Sequence, residues 1–189
     1  MSDPNSSRTR ADAARNREQL LATASRVFAT PGVETSMRAI AREAGVGIAT
    51  LYRHFPTREA LVEAVYRDQV VRLTGGAAEL LAERPPAEAL RRWMDLFGDW
   101  IATKQGMLDT MLSLIESGDL AHARTRNELL AAITSILDAG RAAGDLRPDV
   151  TAEEVAAALI GIFAVAHQPG NSVRADRLLD ILLDGLRRR

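Results

Sequence analysis

The sequence predicts an all-α fold of about nine helices, and three observations predict it. Apolar residues recur at helical spacing (i, i+3, i+4, i+7) through most of the 189 residues. No segment shows sustained strand alternation with β-branched enrichment. The breaks between periodic stretches carry Pro, Gly or capping residues, which is where helices stop and start.

The elements follow in order. Residues 1–14 are polar and are expected as a flexible N-terminal arm. A first helix runs from about Arg15 to Thr30, with Leu20, Leu21, Ala24, Val27 and Phe28 on one stripe, and Pro31-Gly32 ends it. A second opens after Ser36, a good N-cap, and sets Met37, Ile40, Ala41 and Ala44 on one face. Gly45 falls where a helix ends in a left-handed residue, and Val46 follows as a plug at the corner. A third runs from about Gly47 to Phe55 with Leu51 and Phe55 inward. Pro56 stops it by restricting the residue before it.

Thr57 caps a fourth helix, although Ala60 stands where a capping box has Glu; that helix reaches about Leu73 and ends at Gly75-Gly76 or continues weakly to Ala82. Pro85-Pro86 open a fifth, about Ala87 to Lys104. Gly106 to Ser117 is a sixth and Leu120 to Ala143 a seventh, closed by Gly144. Thr151 caps the eighth with Glu154 completing a capping box, and a ninth spans about Val173 to Arg188.

The two short amphipathic segments joined by the Gly-Val-Gly corner, Thr35 to Leu61, have the layout of a helix-turn-helix, whose second helix enters the DNA major groove. The frame Ile40-Ala41-x-x-Ala44-Gly45-Val46-x-x-x-Thr50-Leu51-Tyr52-x-His54-Phe55-x-x-Arg58-x-x-Leu61 resembles the DNA-binding domain of the TetR family of bacterial transcriptional regulators. Leu20-Leu21-x-x-Ala24-x-x-x-Phe28-x-x-x-Gly32 is similar to the first helix of that family. Two positions depart from the pattern. Gly47 stands where the family often has Ser or Thr, which removes a side-chain cap, and Arg58 stands where Lys is common. The resemblance implies an N-terminal three-helix helix-turn-helix domain joined to a C-terminal helical bundle. Residues 15–61 would bind DNA and residues 62–189 would dimerise and bind ligand.

Composition sets outer bounds. Apolar content of 47% and charged content of 26% are ordinary for a globular protein, and there is no Cys to form a disulfide or a thiolate. No apolar run approaches a membrane span and no secretory signal is read at the N-terminus, so the cytoplasm is the expected location. Net charge is −1, but residues 1–58 carry nine Arg against five acids, and residues 59–189 carry fifteen cations against twenty acids. A basic end on an acidic body fits one DNA-facing end.

The expected DNA-facing set is Ser36, Arg38, Gly47, Ile48, Ala49, Thr50, Tyr52, Arg53, His54 and Arg58. Arg53 is the candidate for base readout, since a guanidinium can donate two bonds to guanine O6 and N7; a phosphate contact is its alternative. Gly47, Ile48 and Ala49 begin the helix that enters the groove and offer apolar contact and close approach. By resemblance, Thr50, Tyr52 and His54 bind phosphate and Arg38 reaches base or phosphate; packing of the Tyr52 ring into the core is the alternative for that residue. Arg58 is oddly placed, because a helix N-terminus favours anions. A phosphate beside it would account for the oddity. The Arg8 to Arg17 arm adds charge that either meets DNA or is simply solvated.

Val155 to Ala166 holds twelve residues without a polar side chain, and a helix apolar all round must be covered all round. Helices eight and nine are therefore expected to form a two-fold dimer interface through Ala157, Gly161, Leu179, Leu182 and Leu186, which is also the dimer mode of the family; a large monomeric core is the alternative. Both Trp residues and three of the five Met lie within helices five and six. Trp93, Phe97, Trp100, Met107, Met111, Phe163 and His167 are the candidate lining of a pocket for a small, mostly apolar ligand, with ordinary core packing as the alternative for each.

The reading is a dimeric, ligand-responsive repressor of a pseudo-palindromic operator on double-stranded DNA. A DNA-binding regulator without a small-molecule ligand is the alternative, and a helical enzyme is a remote one. No catalytic pair, metal set or cofactor motif is found: Asp95 and Asp99 are the nearest candidates, and Arg91 and Arg92 one turn earlier make them a surface ion network.

Overall fold

The computed structural model describes residues 4–116, 122–166 and 174–188, with side chains from residue 14 in the first stretch and from residue 124 in the second. These residues form α1 (Pro4–Ala29), α2 (Met37–Glu43), α3 (Ile48–His54), α4 (Arg58–Glu83), α5 (Pro86–Gly106), α6 (Leu108–Glu116), α7 (His122–Ala143), α8 (Ala152–Ala166) and α9 (Ala175–Leu186). They fall into two compact units. One takes Met1–Asp68 and Ala102–Leu120, the other Gln69–Ile101 and Ala121–Arg189, so α4 and α5 contribute to both.

In the first unit the apolar stripe of α1 is buried as its spacing predicts, with Leu20 and Ala24 fully enclosed. Ile40, Leu51, Phe55, Leu61 and Val62 join it, and Met107 of the α5–α6 turn and Met111 of α6 add to it. Each such side chain contributes about 1.5–3 kcal/mol by leaving water. The sequence pattern places the start of α1 near Arg15, behind a flexible arm. Instead the helix begins at Pro4. Pro suits a first turn, and the Ala- and Arg-containing stretch behind it holds neither Gly nor a second Pro to break the helix.

In the second unit the core is Leu90, Trp93, Met94 and Phe97 of α5, Ile133, Ile136 and Leu137 of α7, Val155, Leu159 and Phe163 of α8, and Leu179, Leu183 and Leu186 of α9. α4 passes through Gly75-Gly76 without ending. Two glycines cost about 1 kcal/mol each in a helix; Gly75 has open space beside it, whereas Gly76 is closely packed. A Cβ on Gly76 would meet Leu96 Cδ1 at 2.9 Å, and the buried Trp93 indole donates to the Leu73 carbonyl at 2.8 Å.

The capping box at α8 forms in both directions: Glu154 N–H donates to Thr151 Oγ1 at 3.2 Å, and Thr151 N–H donates to Glu154 Oε2 at 2.8 Å. Gly144 closes α7 at φ +77°, in the left-handed region that Gly adopts without strain. Beyond it, Arg147 N–H donates to the Leu186 carbonyl at 2.9 Å and Arg188 N–H to the Asp145 carbonyl at 3.0 Å, fastening the α7–α8 connector to the end of α9.

Candidate nucleic-acid interface

The helix-turn-helix is built by local chemistry. Ser36 Oγ accepts the Ala39 N–H at 3.2 Å and starts α2. Gly45, at φ +67°, lets the chain leave it: Gly45 N–H donates to Arg42 O and Val46 N–H to Ala41 O. That is the αL exit of a helix, satisfying carbonyls that would otherwise lack donors. Val46 is half-buried at the corner. α3 has Gly47 as its N-cap with no side-chain bond, the missing cap that the sequence implied. Leu51 and Phe55 are buried and seat α3, and Thr57 Oγ1 accepts the Ala60 N–H at 3.1 Å to open α4.

With that seat fixed, the opposite face of α3 is open. Ile48 is 37% and Tyr52 47% exposed, and Gly47, Ala49 and Arg53 are exposed beside them. Arg38 of α2 is exposed as well; Ser36, Thr50 and His54 are half-buried. The Tyr52 ring is therefore on the surface and not in the core. His54 Nε2 is enclosed with no hydrogen-bond partner among the described residues, and its ring lies tilted beside Phe55 at 6.4 Å.

Three supports were not visible in the sequence. Gln19 Nε2 of α1 donates to the Ala44 carbonyl at 3.0 Å, taking up an acceptor at the end of α2. Arg17 stands over the Phe55 ring at 5.3 Å, and Arg26 pairs with Glu43 at 3.3 Å. All three lie off the apolar stripe of α1, and nothing in a single sequence says which off-stripe residues face a neighbour.

Arg58 is engaged by protein groups. Its Nη1 donates to the Thr35 carbonyl, its Nη2 to Thr35 Oγ1 at 3.3 Å and its Nε to Thr110 Oγ1 at 3.2 Å, and the guanidinium stands 5.4 Å from the Phe28 ring centre. Protein acceptors hold the charge where a phosphate was expected.

The candidate pocket residues divide between the units. Trp93, Phe97, Trp100 and Phe163 belong to the second unit, where Phe97 lies 5.8 Å from Trp93, 5.3 Å from Trp100 and 6.1 Å from Phe163. Phe163 is pressed over Gly98: a Cβ there would stand 2.6 Å from the ring. Met107 and Met111 lie buried in the first unit, and His167 lies outside the described residues.

The candidate dimer residues divide between inward and outward faces of the protomer. Leu179 and Leu186 are buried within the protomer, since with Leu183 they follow the i, i+4, i+7 spacing of the inward stripe of α9, and Leu182 is half-buried at its edge. On α8 the inward stripe is Ala152, Val155, Leu159 and Phe163. Its other face stays open, with Ala157, Gly161 and Ala164 exposed, Ile160 56% exposed and Val165 42% exposed. Ile181 of α9 is also 56% exposed. Among the described residues no helix is long and apolar enough to cross a membrane.

Residues 20–65 match the family described as bacterial regulatory proteins, tetR family, and residues 85–188 match the family described as the SbtR-like transcriptional regulator C-terminal domain. The chain is 47% identical to the TetR transcriptional regulator SCO0520 from Streptomyces coelicolor, whose crystal structure superposes with a TM-score of 0.81 over 90% of this chain and 98% of that one. It is 37% identical to the TetR transcription regulatory protein from Mycobacterium vanbaalenii, with a TM-score of 0.73 over 95% and 99%. It is 30% identical to the HTH-type transcriptional repressor KstR2 of Rhodococcus jostii (strain RHA1), covering 90% of each chain. With a seated α3 whose outer face is open, and with both parts of the chain matched, the protein belongs to the TetR family of bacterial transcriptional regulators, which bind DNA and function as dimers.

Proposed function

We propose that the protein is a cytoplasmic repressor that binds a pseudo-palindromic operator as a homodimer and releases it when a small, mostly apolar ligand binds. The observation that carries the reading is the open face of α3. Leu51 and Phe55 hold the helix from below, leaving Arg53 with Ile48, Ala49 and Tyr52 free to face a groove. Arg53 reads a base. Arg38, Thr50, Tyr52 and His54 meet the phosphates, which supply most of the affinity and make it salt-dependent. The repressor direction is supported by the similarity to the transcriptional repressor KstR2 of Rhodococcus jostii.

Residues 15–61 form the reading head and residues 62–189 the dimerisation and ligand part. The open face of α8, with Ile160, Ala157 and Gly161, supports the two-fold contact: small residues let a second helix approach, and exposed Ile gains by being covered. Two reading heads then require half-sites roughly 34–36 Å apart or somewhat more. The ring cluster of Trp93, Phe97, Trp100 and Phe163 supports the ligand role, and a ligand that parts these rings acts only if it prefers one of two conformations.

The test is selection from random duplex DNA by the purified protein at stated, near-physiological salt. The expected result is an enriched inverted repeat, bound more tightly than a shuffled control, that lowers transcription from a promoter carrying it. Salt-sensitive binding with no enriched repeat overturns the operator reading. A selected operator whose affinity no small apolar compound changes overturns the ligand part and leaves a regulator without a ligand.

A further inference from the structure

We propose that Arg58 is a positioning residue, which fixes the start of α2 against α6 and so sets the pose of the reading head without touching DNA. The inference rests on the operator-binding reading above and names a device that controls that site.

A cation at a helix N-terminus faces the positive end of the dipole, so Arg58 needs other partners, and the structure supplies them from three segments of the first unit. Thr35 accepts through both its carbonyl and its hydroxyl, and it immediately precedes the N-cap Ser36. Thr110, on α6, accepts from Nε. Phe28, in the last turn of α1, lies under the guanidinium plane. A planar fork with donors on Nε and both Nη atoms can hold two acceptor residues in fixed relation, which an ammonium cannot do.

The anchor on the α6 side is itself fixed. Met107 and Met111 are buried at 1% and 0% exposure on either side of Thr110, and Gly106 lies against the Phe28 backbone. α2 and α3 pack together around the Gly45 corner, so a shift of α6 passes through Thr110 and Arg58 to Thr35 and tilts both short helices.

The experiment compares Thr110→Val, Arg58→Gln, Arg58→Lys and the double variant Thr110→Val/Arg58→Gln for affinity to the selected operator across a salt series. Thr110→Val removes the hydroxyl that accepts from Arg58, at nearly unchanged volume. The expected result is a loss of roughly five- to tenfold for Thr110→Val, in line with the net loss of one hydrogen bond of ordinary strength. Arg58→Gln and Arg58→Lys lose as much or more, the slope of log affinity against log salt is unchanged in all variants, and the double variant is no worse than Arg58→Gln, as residues acting through one contact require.

A phosphate-contacting Arg58 gives the opposite pattern and overturns the proposal. Arg58→Gln then flattens the salt slope by about one phosphate, Arg58→Lys restores it, and Thr110→Val binds like the wild type. Amide hydrogen exchange on the free protein decides the matter without DNA. Faster exchange at Ala39 to Ala41 in Thr110→Val, with α9 unchanged, supports the coupling; unchanged exchange in α2 overturns it. If the wild type enriches no operator, the repressor reading fails, and the exchange result still decides whether Arg58 couples α6 to α2.

Discussion

The carbonyl oxygen of Phe28 occupies the space that a side chain on Gly106 would need: a Cβ there would stand 1.9 Å from it. The last residue of α5 thus lies directly on the backbone of α1. Backbone cannot rotate away as a side chain can, so Gly106→Ala is expected to cost at least the usual 1–3 kcal/mol of overpacking. Thermal unfolding checks this. A variant as stable as the wild type would mean that the two helix ends separate easily.

Arg53→Ala is expected to weaken operator binding by about 1–3 kcal/mol and to relax the base preference at one position of each half-site. Repeating the DNA selection with the variant reads both effects. Uniform weakening with preference intact would reassign Arg53 to a phosphate.

Ser36→Ala removes the acceptor of the Ala39 N–H and is expected to cost about 1 kcal/mol, as loss of an N-cap commonly does. Urea unfolding followed in the first unit is the check. Loss of operator binding with no loss of stability would instead give the hydroxyl a role at the DNA.

Ile160→Glu places a charge on the open face of α8. The expected outcome is a folded monomer by light scattering, with operator affinity reduced because two half-sites no longer bind as one. A dimer that persists would place the contact elsewhere.

Asp99 is raised above its ordinary pKa of 3.8, first by burial and then by Asp95 one turn away. The folded state therefore holds this proton more tightly than the unfolded chain. The contribution of this one group to stability is most favourable below pH 3.8 and is lost as pH rises through that value to the raised pKa. Asp99→Asn is expected to raise Tm slightly at neutral pH and not in acid below that window; the gain is small because the carboxyl is partly exposed. Melting curves of the two proteins across that range decide it.

Much of this was legible from local rules. Ser36, Gly45, Pro56 and Thr57 act at short range, and each sits at the boundary that its chemistry dictates. The inward pair Leu51 and Phe55 followed from i, i+4 spacing alone. What local rules missed depends on residues distant in the chain. α4 runs through Gly75-Gly76, with Leu96 packed on Gly76, and Arg58 is held by Thr35 and by Thr110, 52 residues away. On α9 the apolar residues outnumber the positions on one face, so spacing did not show that Leu179 and Leu186 turn inward while Ile181 turns out.

The aromatic residues are partitioned in a way that gives the protein two native optical reporters. Trp93 and Trp100 both lie in the second unit, at 0% and 6% exposure, whereas Tyr52 and Tyr66 both lie in the first. Indole emission excited at the red edge, where tyrosine does not absorb, therefore follows only the unit that carries α8 and α9, and second-derivative absorbance, which resolves tyrosine bands from indole bands, reports on the unit that carries α2 and α3. A denaturant titration recorded on both signals, without any label, compares the melting of the first unit with that of the second.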